Sequence, residues 1–293
     1  MTAVTAASDT SDTQRREPHE PRVDVLIIGG GPSGAACAYW LAEAGHDVLL
    51  VEKKRYPREK TCGDGLTPRS VRQLYDIGLA EELVKHHRFD GLRSHAFGRT
   101  LELRWPRHAD FPDHGYVITR KDLDHLVAQR AEKAGATIWQ ASEALEPIVD
   151  RGLVRGAMIR RKDGVHAQAG ADPADAVDPA DAVQPVQGAD SPVEPVTVAV
   201  RARYVIVADG ANSRFGRSLG TSRNRSYPLG MAIRGYYTSP RHDEPWIESW
   251  LDIRDKADNV LPGYGWIFPV GDGRVNVGIG LLSTFNQWKA VNT

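Results

Sequence analysis

A short apolar segment near the start of the chain runs directly into a glycine-rich turn. Residues 23–28 (VDVLII) precede glycines 29, 31 and 34, in the spacing Gly-x-Gly-x-x-Gly, and a helix is predicted over 32–44. Such glycines permit a tight turn, close approach of a pyrophosphate and close packing of the helix on the strand. The free amides and positive end of the helix favour phosphate groups. The pattern predicts an α/β fold with a Rossmann-like domain that binds a dinucleotide.

An acidic residue follows the second apolar segment of this pattern. Glu52 lies 18 residues after Gly34 and ends the predicted strand 47–51, where a carboxylate can take the hydroxyls of a ribose. A glutamate there disfavours a 2′-phosphate, so the nucleotide is expected to be FAD or NAD rather than NADP. Ser33, in the string GPSGA, is expected to contact phosphate. The alternative is a glycine-rich turn with an incidental glutamate.

Composition narrows the class of protein. The 293 residues carry a net charge of −1. A nucleic-acid-binding protein usually has a surplus of basic residues, so this charge balance argues against nucleic-acid binding. Two cysteines, Cys37 and Cys62, cannot form a disulfide framework, and the histidines show no metal-ligand spacing. No apolar run reaches 18 residues, and the polar start lacks a signal-peptide core. We expect a cytoplasmic protein without a metal site, with peripheral contact at the inner face of the cell membrane left open.

The chain divides into segments of different texture. Residues 1–22 and the insertion 164–195, which repeats DPADAV, have the composition of disordered segments. The insertion is flanked by strand-like segments, 153–161 and 196–208, so it is predicted to interrupt a β-hairpin. Residues 23–225 are assigned to the dinucleotide-binding domain, and residues 226–293 to a smaller β-rich domain that binds substrate.

Two further segments indicate the class of nucleotide-binding protein. The string YVIVADGANSRFGR (204–217) resembles the second fingerprint of the para-hydroxybenzoate hydroxylase superfamily of flavoproteins, which implies that Asp209 and Gly210 contact FAD. The string VITRKDLD (117–124) resembles the same superfamily's arginine at the start of a helix, which implies that Arg120 offers a planar charged fork to FAD. By the same resemblance, the backbone of Ala144 meets the adenine. The alternatives are an ordinary Asp-Gly turn and a solvated arginine.

Two other strings narrow the resemblance further. The string CGDGL (62–66) is similar to a loop beside the flavin in the geranylgeranyl reductase family, which implies that Cys62, Gly63 and Gly65 contact the cofactor. The string PGYGWIFP (262–269) is similar to its aromatic box, and Gly278-Ile-Gly280 follows at the expected spacing. The resemblance implies an FAD enzyme that saturates isoprenoid double bonds, as bacterial menaquinone-tail reductases do, with NAD(P)H or another external reductant.

The aromatic box predicts an apolar surface. Tyr264, Trp266 and Phe268 alternate, so they share one face of an extended segment that ends at Pro269. Beside a flavin, such a face suits a prenyl-lipid substrate; the alternative is an ordinary core strand. Cys62, Tyr264 or water could supply the proton that the reduction needs, and Cys62 could instead be a small packing residue.

Other functions stay open at this point. A flavin monooxygenase or halogenase would share the fold, and a non-catalytic protein that binds flavin or prenyl lipid would share the motifs. A simple NAD dehydrogenase is disfavoured, because no second nicotinamide and substrate site is evident. The resemblance also implies a third flavin motif, a Gly-Asp stretch after Gly280, and the sequence contains none. We therefore expect part of the FAD site to be missing. Nothing in the sequence indicates an oligomeric state.

Overall fold

The protein is described by a computed structural model over residues 20–162, 194–224 and 226–283. The predicted disordered tail and insertion fall largely outside these ranges. The described helices and strands follow one another along the chain as β1 (Arg22–Ile28), α1 (Pro32–Glu43), β2 (Val48–Val51), β3 (Gly65–Leu66), α2 (Pro68–Asp76), α3 (Ala80–Leu83), β4 (His87–Phe89), β5 (Gly91–Ala96), β6 (Arg99–Arg104), β7 (Gly115–Val117), α4 (Arg120–Lys133), β8 (Thr137–Trp139), β9 (Ser142–Asp150), β10 (Leu153–Arg161), β11 (Val196–Val207), α5 (Arg214–Ser218), β12 (Gly230–Thr238), β13 (Trp246–Trp250), β14 (Gly263–Pro269) and β15 (Arg274–Leu282).

The first sheet confirms the predicted α/β class. Its six strands lie in the order β8-β2-β1-β11-β10-β9, and β8, β2, β1 and β11 are parallel. Strand β2 and most of β1 are apolar and buried, as expected for parallel strands covered on both faces. Helices α1 and α4 cover one face, where Ile27 and Leu50 are fully buried. Leu26 and Leu49 point into the cluster on the other face, together with residues of β10 and β11.

The hairpin predicted around the insertion is present. Strands β10 and β11 pair antiparallel, from Gly156 opposite Arg201 to Arg161 opposite Val196. Because β11 also pairs parallel with β1, the hairpin joins the antiparallel edge of the sheet to its parallel part. This arrangement places the end of β11 beside the end of β1, at the carboxyl edge where α/β sheets bind ligands.

The second sheet is built mainly from the predicted β-rich region. Its order is β12-β15-β14-β13-β5-β6, and β13 pairs parallel with β5 whereas the other neighbours are antiparallel. The sheet therefore also takes the hairpin β5–β6 from the part of the chain assigned to the dinucleotide domain. The division at residue 225 stays a prediction.

A third, three-stranded sheet, β3-β7-β4, carries the loop that includes Cys62. Gly65 pairs with Val117. The string CGDGL (62–66) therefore lies beside β7, the strand that comes just before α4 in the chain. Phe89, Val117 and Ile247 form a small buried cluster that joins this sheet to the second one. Within the described ranges, no helix is long and apolar enough to cross a bilayer.

Candidate functional site

Of the three glycines of the Gly-x-Gly-x-x-Gly motif between β1 and α1, two are crowded and one is open. Gly29 has a φ of +103°, and a Cβ there would lie 2.5 Å from the carbonyl oxygen of Ala208 at the end of β11. A Cβ at Gly34 would overlap the carbonyl oxygen of Gly29. A Cβ at Gly31, by contrast, would have no atom within 4 Å. Gly29 and Gly34 therefore serve backbone packing, whereas Gly31 leaves room for a ligand.

The start of α1 is free to bind an anion. Gly31 occupies the N-cap position with extended backbone, Pro32 follows it, and no side chain caps the helix. Ser33 is exposed at the second helical position, with no acidic residue in the first turn. The unpaired amides and the helix dipole favour a phosphate at this place.

The predicted ribose ligand Glu52 lies next to the glycine turn and is buried. Its Oε2 accepts hydrogen bonds from the Gly30 amide at 2.9 Å and from the Arg58 guanidinium at 3.1 Å. Its Oε1 accepts one from the Lys54 amide at 3.0 Å. The carboxylate is thus held in place by backbone and by one arginine that the sequence analysis did not single out.

Arg120 is buried at the start of α4, so the interpretation of a solvated arginine is wrong. It binds both oxygens of Asp124, one helical turn further along α4. Arg58 contacts the same carboxylate, with its Nη1 2.9 Å from Oδ2. Burial disfavours the Arg120 charge, but the hydrogen bonds and charge of Asp124 outweigh it, with a contribution from Cys62, and raise the pKa of Arg120.

Glu52, Arg58, Asp124 and Arg120 therefore form an unbroken row of four buried charges. The spacing of Arg120 and Asp124, four residues apart on a helix, is a local signal that could have predicted their pairing. No local signal links Arg58 to either carboxylate.

The second fingerprint lies across the glycine turn. Asp209 Oδ2 accepts hydrogen bonds from the amides of Arg214 and Phe215, at 3.1 and 3.3 Å. Its Oδ1 is buried with no hydrogen-bond partner among the described residues. Gly210 has a φ of +90°, and a Cβ there would lie 3.4 Å from Nζ of Lys60. The side chain of Lys60, two residues before Cys62 in the same loop, thus reaches Gly210.

Within that loop the predicted residues differ in exposure. Cys62 and Gly63 are exposed, whereas Gly65 is partly buried in β3. A Cβ at Gly65 would lie 3.4 Å from the Phe268 ring. Asp64, which the sequence analysis did not select, is fully buried. The loop therefore has an open side, which includes Cys62, and a side fixed against the aromatic strand.

The three aromatic residues of β14 share one face, as predicted. Neighbouring ring centroids are 5.7 Å apart for Tyr264 and Trp266, and 6.2 Å apart for Trp266 and Phe268. Trp266 is buried, Phe268 is partly buried and Tyr264 is 47% exposed. Pro269 is buried at the end of the strand, on its other face. The row runs from the Cys62 loop towards solvent, so part of it is core and part is accessible.

Ala144 lies on β9 and is partly buried against the second core cluster. It follows Ser142, whose amide donates to the carbonyl oxygen of Glu52 at 2.9 Å. Ala144 is therefore near the Glu52 end of the site and far along the chain from the aromatic strand. No group of three or more His, Cys, Asp or Glu side chains in the described ranges is placed to hold a metal ion.

These features fit a bound dinucleotide. The space at Gly31 and the uncapped α1 suit the pyrophosphate, and Glu52 beside them suits a ribose. The unpartnered Oδ1 of Asp209 is a buried acceptor that a ligand hydroxyl or amide can satisfy. The geometry thus supports the prediction that the glycine turn with Glu52 and the segment at Asp209 lie at one dinucleotide site.

The described geometry agrees with comparisons to curated proteins. The chain is 39% identical over 261 residues to a menaquinone reductase of Mycobacterium tuberculosis, with 89% of this chain and 55% of the relative covered. It is 30% identical to digeranylgeranylglycerophospholipid reductase 2 of Methanopyrus kandleri, with 90% of this chain and 56% of the relative covered. The chain spans about half the length of the curated relatives it matches.

Solved structures share the fold. A geranylgeranyl bacteriochlorophyll reductase-like protein of Thermoplasma acidophilum superposes with a TM-score of 0.67 at 28% identity, covering 89% of this chain and 57% of that one. A myxobacterial chondrochloren halogenase superposes with a TM-score of 0.65 at 20% identity, covering 89% and 53%. At that identity the halogenase shows the fold alone.

The family model described as "FAD binding domain" matches residues 22–172, which include the glycine turn, Glu52, the Cys62 loop and Arg120. This stretch is more than half of the chain, and its residues build the dinucleotide side of the site. The chain therefore belongs to the FAD binding domain family.

Proposed function

We propose that the protein is an FAD-dependent oxidoreductase that reduces isoprenoid double bonds, in a geranylgeranyl chain or a menaquinone prenyl tail. The observation that carries the proposal is the contact between Gly65 and the Phe268 ring. It sets the apolar face of β14 directly against the loop that carries Cys62, from which the Lys60 side chain reaches Gly210. The similarity to menaquinone and digeranylgeranylglycerophospholipid reductases supports this substrate class.

The residues of the first sheet would hold the cofactor. The amides at the start of α1 bind the pyrophosphate, Glu52 binds the adenosine ribose, and Asp209 with Gly210 closes the opposite side. Ala144 and Arg120 complete the cofactor site, with Arg120 kept charged by Asp124. When bound, FAD supplies the hydride chemistry that amino-acid side chains lack.

The residues of the second sheet would hold the substrate. A prenyl chain offers only apolar surface, so Tyr264, Trp266 and Phe268 bind it by burial and shape rather than by hydrogen bonds. Pro269, predicted as a fourth substrate contact, is buried on the other face of the strand and is not part of this surface. The face orients one double bond and excludes water from it. Saturation adds a hydride to one carbon and a proton to the other. We propose that Cys62, Tyr264 or water supplies this proton: Tyr264 is the exposed end of the aromatic row, and Cys62 is exposed in the loop whose Gly65 lies against Phe268.

Two further parts of the proposal concern partners. An external reductant, NAD(P)H or another donor, must reduce the cofactor before each turnover.

A prenyl-lipid substrate resides in a membrane, so we place the protein in the cytoplasm at the inner face of the cell membrane, in peripheral contact. Co-sedimentation with vesicles that contain a prenyl lipid tests this contact, and protein that stays in the supernatant would contradict it.

An anaerobic assay tests the reaction. The FAD-loaded chain is reduced with dithionite and mixed with geranylgeraniol, which has no quinone ring that could accept electrons itself. The proposal predicts a product heavier by the mass of two hydrogen atoms. A product that forms only with oxygen and contains an added oxygen or halogen atom would instead indicate a monooxygenase or halogenase. Tight binding without a product would indicate a non-catalytic protein.

A further inference from the structure

Asn276 links the aromatic face to the loop that carries Cys62. It lies on β15 and is fully buried. Its Oδ1 accepts a hydrogen bond from Nε1 of Trp266 at 3.0 Å, and its Nδ2 donates one to Oδ2 of Asp64 at 2.6 Å. An indole N–H can only donate and a carboxylate can only accept, so the residue between them must present one acceptor and one donor. A primary amide meets this requirement.

The Trp266 ring depends on this link for its position. It lies over Gly278, where a Cβ would overlap two atoms of the indole, and near Gly280, where a Cβ would be 3.8 Å from Cζ3. The glycines give the ring a flat floor, and a flat floor alone would also accommodate the ring turned over about its χ2 bond. The hydrogen bond to Asn276 selects one of these two orientations, because it directs Nε1 to one place.

The other end of the link is anchored independently of Trp266. Asp64 also accepts hydrogen bonds from the first amide of α4, at Arg120, at 3.2 Å and from the Tyr236 hydroxyl at 2.6 Å. These donors are neutral, and they keep the buried carboxylate satisfied on three sides. Burial and the hydrogen bond to Asp64 raise the pKa of Tyr236, so its hydroxyl stays a donor.

We propose that Asn276 is a positioning residue. It sets the orientation of the Trp266 ring relative to the loop that carries Cys62 and Asp64, and it thereby shapes the apolar surface that receives a prenyl chain. The part that concerns the prenyl chain rests on the proposed function; the orientation of the ring does not. Asn276 itself contacts neither substrate nor cofactor in this role. It transmits the position of the loop to the ring.

The chain offers a matched pair of variants. Asn276→Leu removes the link to Trp266 and one donor to Asp64. Tyr236→Phe removes a donor to the same Asp64 oxygen but leaves the link to Trp266 in place. A purely structural role of the Asp64 cluster would make the two variants equivalent, whereas a positioning role makes them differ at Trp266.

The indole N–H resonances of the 15N-labelled chain report the link directly. The Trp266 resonance is identified by its loss in Trp266→Phe. We expect Asn276→Leu to move it towards the position of a free indole and Tyr236→Phe to leave it in place. An unmoved resonance in Asn276→Leu, or equal movement in both variants, would overturn the proposal.

A third variant provides a rescue. In Asn276→Asp, the introduced carboxyl faces Asp64, with the Tyr236 hydroxyl, the Arg120 amide and the guanidinium groups of Arg234 and Arg274 nearby. At high pH the two carboxylates repel each other and the variant lacks the donor to Asp64; as the pH falls, the pair takes up one proton. That proton restores the donor to Asp64, and the Trp266 resonance should return to its original position at low pH. A resonance that stays displaced at every pH at which the variant is folded would count against the proposal.

Geranylgeraniol binding to the FAD-loaded chain then separates the two claims. We expect Asn276→Leu to weaken binding about ten-fold and Tyr236→Phe to change it less than about two-fold. Equal weakening would overturn the role in shaping the surface. Failure of the unsubstituted chain to bind geranylgeraniol would contradict the proposed substrate class, while the indole resonances still decide the position of Trp266.

Discussion

The Arg120 guanidinium donates hydrogen bonds to both oxygens of the Asp124 carboxylate, from Nε to Oδ1 at 2.7 Å and from Nη2 to Oδ2 at 3.0 Å. Both residues are buried, and Arg58 adds a second cation at 2.9 Å from Oδ2. Asp124 is therefore the counter-ion that the two guanidinium groups share, and Glu52 is a second carboxylate beside Arg58. The planar fork of Arg120 is directed at Asp124 in this structure, and its contact with FAD stays a prediction.

Removing that carboxylate should destabilise the fold. In Asp124→Asn the two guanidinium groups keep their charges but lose their shared counter-ion, so we expect the free energy of unfolding to fall by about 3–5 kcal/mol. Urea denaturation measures it. Asp76→Asn is the matched control, because Arg72 and Asp76 have the same spacing on α2 but are exposed. That variant should lose about 0–1 kcal/mol. Equal losses in the two variants would show that the buried row contributes nothing special.

The second sheet carries an acid-sensitive cluster. Hydrogen bonds from Arg241, and also from Arg93, lower the pKa of Glu244 to about 2. A carboxyl with a depressed pKa stabilises the folded state above its unfolded pKa, and this contribution is lost as the pH falls through the folded pKa. Glu244→Gln should therefore be less stable than the unsubstituted chain at pH 7.

The difference should amount to about 1–3 kcal/mol at pH 7 and shrink between pH 4.5, the ordinary value, and about pH 2. Thermal unfolding over this range measures it. A difference that stays constant with pH would show that the loss comes from packing and not from the charge of Glu244.

Two glycines beneath Trp266 allow a test of the aromatic face. A Cβ at Gly278 would overlap the indole, so Gly278→Ala must displace the ring. At Gly280 the nearest atoms are 3.7 and 3.8 Å away, so Gly280→Ala should be accommodated. We expect the first variant to weaken geranylgeraniol binding about ten-fold and the second to change it less than about two-fold.

The readout is titration of each FAD-loaded variant with geranylgeraniol, with FAD affinity measured in parallel. FAD binding should be the same in both variants, because Gly278 lies in the second sheet. If Gly278→Ala bound geranylgeraniol as well as Gly280→Ala did, the aromatic strand would be core and not a substrate surface.

Local patterns were sufficient to predict where one half of the candidate site lies, while the roles of its residues towards cofactor and substrate stay predictions. The glycine spacing, Glu52 and the alternation of the aromatic box are each encoded within about 25 residues, and the structure places them as expected. They could be predicted because the period of a strand and the demands of a tight turn are properties of short segments.

The other half depends on contacts between distant segments. Asp64 and Asn276 are in contact although 212 positions separate them in the chain. Arg58, in the loop after β2, contacts Asp124 on α4. The hairpin β5–β6 joins the second sheet through a parallel pairing with β13 that nothing in either segment indicates. A charged residue in a glycine-rich string is expected to be exposed unless its partners are known. For this reason the burial of Asp64 was not predicted from the sequence.

The turn between β1 and α1 is the place where we propose that FAD binds. Titration of the purified chain with FAD, followed by the change in flavin absorbance, tests this proposal most directly. A Cβ at Gly31 would enter open space, so Gly31→Ala should fold normally but intrude on the pyrophosphate. We predict saturable binding of one FAD per chain and affinity weakened about ten-fold or more in Gly31→Ala, with unchanged thermal stability. Absence of saturable binding, or equal affinity in the two proteins, would contradict the account.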